Sequence, residues 1–516
     1  MKIYSKIIIV ASVLFFTSCE KWLDLQPEGE ATFDELYKSG DGYRSVLNGL
    51  YKSMGTGALY GLELQFGLID CMSQQYDFTN EGLMTNDKYR KAVKYDYANS
   101  PIASTIDNIW LSAYKIIANA NDLLQNIKTA SPEIFRQDEM ERKMIMGEAY
   151  ACRALMHFDL LRLFAPAVIQ NPGSESYLPY VETYPNIQAS SIAVEPFLKK
   201  VIADLEEAQK LTIEYDTTEI GKKLSSTGKN RFDLDSKVGL EDEFYSGRGY
   251  RLTYYSITAL LARVYQYAGM YDKAFDAASE VIGYGGETPF YKDDFSGIRI
   301  PAPGVNPAEA FKSKKDLKLA SSLIFAIYNE KEYENNNLLN FFKTGMDQDD
   351  RTSNQWFVVS KDLFKNNDVD ESSLDYRWVD LIFPAANSHP ISGKWYLFDN
   401  AATRDKYATI LPVIRATEMH YILAECYARK GQYETAYDIL DALRAKRGLE
   451  NRPLARTATW DAFVETLVGD ARREWISEGQ LFYLYKRLDA KFTIGKEYRS
   501  LTKSEYMFPI PIDQRK

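Results

Sequence analysis

AECYARKGQYETAYDILDALRAKRG, residues 424–448, is the stretch that decides the fold. Ala424, Tyr427 and Ala428 recur at helical spacing, Gly431 interrupts them, and a second run opens with Tyr433 followed three residues on by Ala436. This pattern predicts two helices folded back on each other, with the turn at Gly431, because glycine tolerates the left-handed backbone found just past a helix end. The same signature occurs earlier in the chain: Ala262, Tyr265, Gly269, Tyr271 and Ala274 fall in register on Ala424, Tyr427, Gly431, Tyr433 and Ala436. In each copy alanine permits close helix approach and tyrosine fills the hole between neighbours. Recurrence predicts repeat-type helical pairs over Leu252 to Ile282 and Ala416 to Lys446.

Apolar residues also recur at helical spacing in Ile106 to Ile127, Met140 to Phe164, Glu195 to Leu211 and Ala471 to Leu488. The fold class is therefore mainly α, with tetratricopeptide-type helical pairs and a loop-rich second part. Gly283 to Pro307 is dense in Gly and Pro, and Asn335 to Thr403 is dense in Asn and Asp with few helical periods. Long loops inside a folded chain are usually functional. Ser322 to Tyr328, with β-branched residues and alternation, predicts one short strand.

The 516 residues carry 62 basic and 72 acidic side chains, a net charge of -10, which offers no footprint for a phosphate backbone and excludes nucleic acid as a partner. With 45% apolar and 26% charged residues the chain has the composition of a folded globule. Only three histidines occur, His157, His389 and His420, too scattered for a metal cluster, so no metal and no cofactor is expected. No G-x-S-x-G, no H-E-x-x-H and no phosphate loop is present, and no catalytic residue is named. A surface glycoside hydrolase is the alternative, since two carboxylates such as Asp349 or Asp350 with Asp375 would suffice, but 72 acidic residues make such pairs uninformative. The aromatic share is 14%, chiefly 37 tyrosines, whose flat faces with polar tips suit recognition surfaces.

At the N-terminus, Lys2 and Lys6 precede an apolar run from Ile7 to Phe16, too short to span a bilayer, which predicts an export signal over residues 1–18. Phe16-Thr17-Ser18-Cys19 resembles a bacterial lipobox, which implies cleavage before Cys19 and its lipidation, palmitate included. Several acyl chains hold a protein stably at a membrane surface. Cys71, Cys152 and Cys426 match no zinc or redox spacing, and a disulfide between two of them stays open at this point.

Five stretches together resemble the SusD/RagB family of Bacteroidetes outer-membrane nutrient-binding lipoproteins. They are CEKWLDLQP from Cys19; Trp110, Tyr114, Ile117 and Asn121 on one helix; GEAYACRALMHFDLLRLFA; AECYARKGQYETAYDILDALRAKRG; and REWISEGQLFYLYKR followed by MFPIPIDQ. Tyr483 and Tyr485 depart from the common ending of the fifth. The resemblance implies a SusD-like fold with an N-terminal helical region over 19–283 and a C-terminal region over 284–516, whose variable loops span about 284–320 and 335–403. It implies a binding protein without catalytic chemistry, anchored by lipid in the outer membrane and facing outward. Such a protein captures oligosaccharide, or alternatively oligopeptide, and delivers it to a SusC-like TonB-dependent transporter. Arg473, Glu474 and Glu478 are expected to pair with neighbours, and Trp475 and Phe482 to face the core.

A pyranose presents an apolar C–H face that packs on an aromatic ring while its hydroxyls need hydrogen bonds. The loop aromatics Tyr76, Tyr95, Tyr97, Trp356, Trp378 and Trp395 are the candidate platforms, two or three of them being expected to touch ligand. Gln74, Gln75, Asp77, Asn80, Arg377 and Lys394 are the candidate polar partners, Arg377 also suiting a carboxylate.

Overall fold

A computed structural model describes residues 36–79, 84–186, 189–226, 231–234, 242–286, 290–291, 316–331, 336–342, 355–366, 368–384, 389–395 and 409–511. Cys19 and the signal segment, Asn80, Asp349, Asp350 and much of both predicted long loops lie outside the described residues.

The main helices are α1 (Gly40–Met54), α2 (Ser100–Ile127), α3 (Asp138–Phe164), α4 (Val194–Asp216), α5 (Tyr254–Tyr267), α6 (Tyr271–Ile282), α7 (Ala416–Arg429), α8 (Tyr433–Arg444), α9 (Trp460–Glu474) and α10 (Leu481–Leu488). Helix α3 is central. It packs against α1, α2 and α4, and from Ala151 to Phe164 every side chain is buried, so apolar residues occur on every face of that stretch rather than on one stripe. The charges it carries inward are all paired: Glu141 takes Arg44, Glu148 takes Arg248, Arg153 takes Asp204 and Asp159 takes Arg162.

The two predicted hairpins are present as α5–α6 and α7–α8, and α6 packs on α7, so the pairs are neighbours. Gly269 and Gly431 lie in the turns at φ +76° and +75°, the left-handed region. One predicted helix is corrected. Ala471 to Leu488 is not continuous but divides into α9 and α10 across Trp475–Gln480. Ser477 and Gly479 there take positive φ, and a Cβ on Gly479 would lie 1.9 Å from the Leu64 carbonyl oxygen, so backbone approach overrides the helical periodicity.

The predicted strand is β1 (Leu323–Tyr328). Short strands β2 (Ile382–Pro384) and β3 (Pro390–Ser392) pair with each other, and β1 pairs antiparallel with β4 (Ile410–Arg415) from Leu323↔Arg415 to Tyr328↔Ile410. One large apolar cluster runs from Tyr43 on α1 to Phe508. Cys71, Cys152 and Cys426 are buried free thiols, which closes the possibility of a disulfide among them. Among the described residues no helix is long and apolar enough to cross a membrane, and no cluster of metal-ligating side chains occurs.

Candidate functional site

The break between α9 and α10 organises the site. Glu478 receives Arg415 and Lys394, and Glu474 receives Arg447 and Arg377. Arg377 also grips Asp375 and Asp470, and Arg473 reaches Glu371. All of these side chains are buried. Burial alone would push the Glu474 carboxyl up, but Arg447 and Arg377 overcome that and hold it below the usual carboxylate range. Asp470 is likewise driven up by burial and pulled below its ordinary value by Arg377. Burial lowers the Lys394 ammonium, with Glu478 opposing. This charge cluster fixes the backbone of Ser477, and Ser477 in turn holds two loops: its carbonyl accepts the Trp395 indole N–H at 2.8 Å, its hydroxyl accepts from Tyr76 at 3.0 Å, and its own N–H donates to Gln75 Oε1 at 3.1 Å.

From that support three chain segments meet in a seam. Residues 355–359 run extended, bridged to Tyr76 and Met84 on one edge and to Ile391 of β3 on the other. Asp77 N–H donates to the Val358 carbonyl and Val359 N–H to the Pro390 carbonyl, both at 2.7 Å. Side chains alternate along an extended segment. Phe357 therefore turns into the core, stacked on Tyr76 at 4.5 Å and edge-on to Tyr89 at 5.1 Å, and Trp356 turns to the other face. There its ring, itself buried, lies 5.7 Å from that of His389, which is half-buried, and its indole N–H has no hydrogen-bond partner among the described residues. Beside the same seam, Asp77 Oδ1 accepts from the Thr79 N–H and hydroxyl at 2.8 and 2.6 Å, closing a turn, and the Asn86 amide donates to Gln355 Oε1 at 3.4 Å.

The other described candidate residues make the following contacts. Tyr76 and Trp395 meet at Ser477, and Trp395 packs on Phe66 at 4.5 Å. Tyr95 donates to the Met72 carbonyl at 2.7 Å, and Tyr97 donates to the Glu505 carbonyl while packing edge-on to Phe508, so Tyr97 serves the C-terminal segment. Trp378 packs edge-on to Phe364. Gln74 and Gln75 donate to the Val93 and Trp475 carbonyls, Lys394 to Glu478, and Arg377 is saturated by three carboxylates. Asp375, half of the carboxylate pair considered for hydrolysis, is bound to Arg377 and Arg473. The charges and rings expected to be structural are so: Arg473, Glu474 and Glu478 are paired, and Trp475 and Phe482 are buried. Sequence reasoning missed His389, whose only cue was its place beside Pro390, and Gln355, Thr79 and Asn86, which carry no pattern.

Two family models match this chain. One, described as starch-binding associating with outer membrane, covers residues 21–220, and the other, the SusD family, covers 384–508. The chain belongs to the SusD/RagB family. Among curated relatives, SusD-like protein P38 of Formosa agariphila is 22% identical over 98% of this SusD/RagB protein and 94% of its own length. SusD-like protein P2 of the same organism is 27% identical over 164 residues, so that match spans 32% of this chain and only 30% of the relative. Among solved structures, a SusD-like carbohydrate binding protein from Bacteroides vulgatus superposes with a TM-score of 0.64 at 16% identity, covering 92% of this chain and 95% of that one. Surface glycan-binding protein A from Bacteroides thetaiotaomicron, in complex with laminarihexaose, superposes with a TM-score of 0.61 at 15% identity over 92% and 97%. At these identities the likeness is one of fold.

Proposed function

We propose that this SusD/RagB protein captures oligosaccharide outside the cell, at the seam around Trp356 and His389, and delivers it to a SusC-like TonB-dependent outer-membrane transporter. Lipid on Cys19 holds it to the outer membrane. The observation that carries the reading is the seam. It sets one indole, whose N–H has no hydrogen-bond partner among the described residues, beside an imidazole, on segments locked from behind by the buried charge cluster. A sugar needs this combination: an apolar face for its ring and convergent hydrogen-bonding groups for its hydroxyls. An unpaired buried N–H costs about 1–3 kcal/mol, so a hydroxyl that reached it would gain what the free protein forgoes. The outer-membrane, starch-binding description of one matching model and the glycan-bound fold neighbour support the same class.

The test is affinity electrophoresis of the mature chain through gels carrying soluble α-glucans, β-glucans, mannans and xylans, with casein peptides as the other arm. Retardation by at least one glycan with no change in the polymer's length is expected. Binding to peptides alone would reject the glycan reading, and shortening of a glycan would mean hydrolysis.

A further inference from the structure

A cavity lined by none of the segments that form the seam opens elsewhere in the protein. It lies between the C-terminal half of α1, the turns at Glu243–Tyr245 and Arg248–Tyr250, and the end of β1, and its volume is about 360 Å³, within the range of small-ligand pockets. Three tyrosines line it: Tyr51, Tyr250 and Tyr328. Leu234, 43% exposed, forms part of the wall.

The lining is braced before any ligand arrives. The Tyr51 hydroxyl donates to Glu148 Oε2 at 2.8 Å and accepts the Leu252 N–H at 2.9 Å. Tyr250 is held edge-on between Phe232 at 5.0 Å and Tyr328 at 5.3 Å. The Arg251 guanidinium lies over Tyr51 at 4.9 Å, donates to the Asn48 side chain and sits 3.8 Å from Glu148. Rings held this way give contact area at low entropic cost.

The charges around the cavity are of both signs. Lys52, Lys331 and Arg251 line it together with Glu243 and Glu330, and Glu148, which also pairs with Arg248, lies 3.8 Å from Arg251. A site for phosphate, a uronate or a polyamine would carry a marked excess of one sign. A tyrosine-lined pocket with an amide and charges of both signs at its rim suits a ligand that is uncharged, has an apolar face and bears many hydroxyls. We infer that this cavity is a second saccharide site, taking one neutral pyranose unit independently of the Trp356 seam. The inference rests on the reading of the protein as a glycan binder and adds a place of contact that the seam does not include.

The experiment is saturation-transfer difference NMR on the full mature chain with methyl glucopyranoside, methyl mannopyranoside and methyl galactopyranoside as probes and methyl glucuronate as the charged control. Leu234→Asp places a charge on the exposed wall, Tyr328→Ala removes one ring, and circular dichroism checks that each variant is folded. At least one neutral probe is expected to receive saturation in the parent and in Trp356→Ala alike, to bind more weakly in Leu234→Asp, and to bind about tenfold more weakly in Tyr328→Ala, as loss of one stacking contact would give. Loss of all transfer in Trp356→Ala would mean a single site and overturn the inference while leaving the glycan reading intact. Parent-like transfer in folded Leu234→Asp and Tyr328→Ala, transfer to glucuronate only, or no transfer to any neutral probe would each overturn it too. Retardation in glycan gels decides the broader reading separately.

Discussion

Glu478 shows most plainly what a single side chain does here. It is the one carboxylate that both Arg415 and Lys394 address, at 2.5 and 2.6 Å, and all three are buried. Removing one partner of such a set leaves buried charge uncompensated, so Glu478→Gln is expected to destabilise the protein by about 3–5 kcal/mol. The exposed pair of Glu195 and Lys199 is screened by water, and Glu195→Gln should leave the urea midpoint unchanged. Equal midpoints for the two variants would refute the assigned role of the cluster. The sequence pointed to Glu478 through its spacing from Arg473 and Glu474, but it also offered Arg377 and Lys394 as ligand donors. Their partners, Asp470, Glu474 and Glu478, lie 80 or more positions away, and no local pattern reports a contact of that range.

Among elements, the two kinds of glycine turn separate what local pattern can and cannot supply. Gly431 has nothing within 4 Å of the place a Cβ would take, so Gly431→Ala meets only backbone strain, about 1–2 kcal/mol. Gly479→Ala adds a collision with the Leu64 carbonyl at 1.9 Å. It is therefore expected to lower the thermal midpoint well beyond the Gly431 variant or to prevent folding, and equal midpoints would contradict the close approach. The hairpins were legible because helix, glycine and helix are adjacent in sequence, and α5 to α8 fall within two residues of the expected bounds. The break before α10 was not legible, because it is imposed by Leu64 and by Asp70, whose Oδ1 accepts the Gly479 N–H at 2.9 Å from across the molecule. The strand β4 was missed for a similar reason: its partner β1 is far away in the chain, and with all six of its residues buried it shows no alternation.

The buried charges also set the acid limit of the whole molecule. Asp470, Glu474, Glu425 and Glu371 are all held below their ordinary values by arginines that outweigh the upward push of burial. A carboxylate depressed in the folded state contributes stability that is complete above its unfolded value, about 4, and is lost as pH falls through the folded value. The urea midpoint should therefore drop steeply below about pH 4. Asp70 has the opposite sign: burial raises it well above its ordinary value, so its contribution grows less favourable as pH rises from about 4. The stability of Asp70→Asn relative to the parent should accordingly rise with pH, and a fall would contradict the assignment. The helical platform and its family resemblance could be read from sequence, whereas the proposed site could be read only in part, since Trp356 was one of six candidate aromatics and only the extended backbone of 355–359 turns it away from Phe357 and the rings that pack on it. The most direct measurement is isothermal titration of the mature parent and of Trp356→Ala with the glycan that retards the parent in gels, with thermal melting to verify the fold. Loss of one stacking ring predicts binding weaker by about tenfold or more in a variant with a parent-like melting temperature. Unchanged affinity in a folded Trp356→Ala would place the ligand elsewhere and contradict the account.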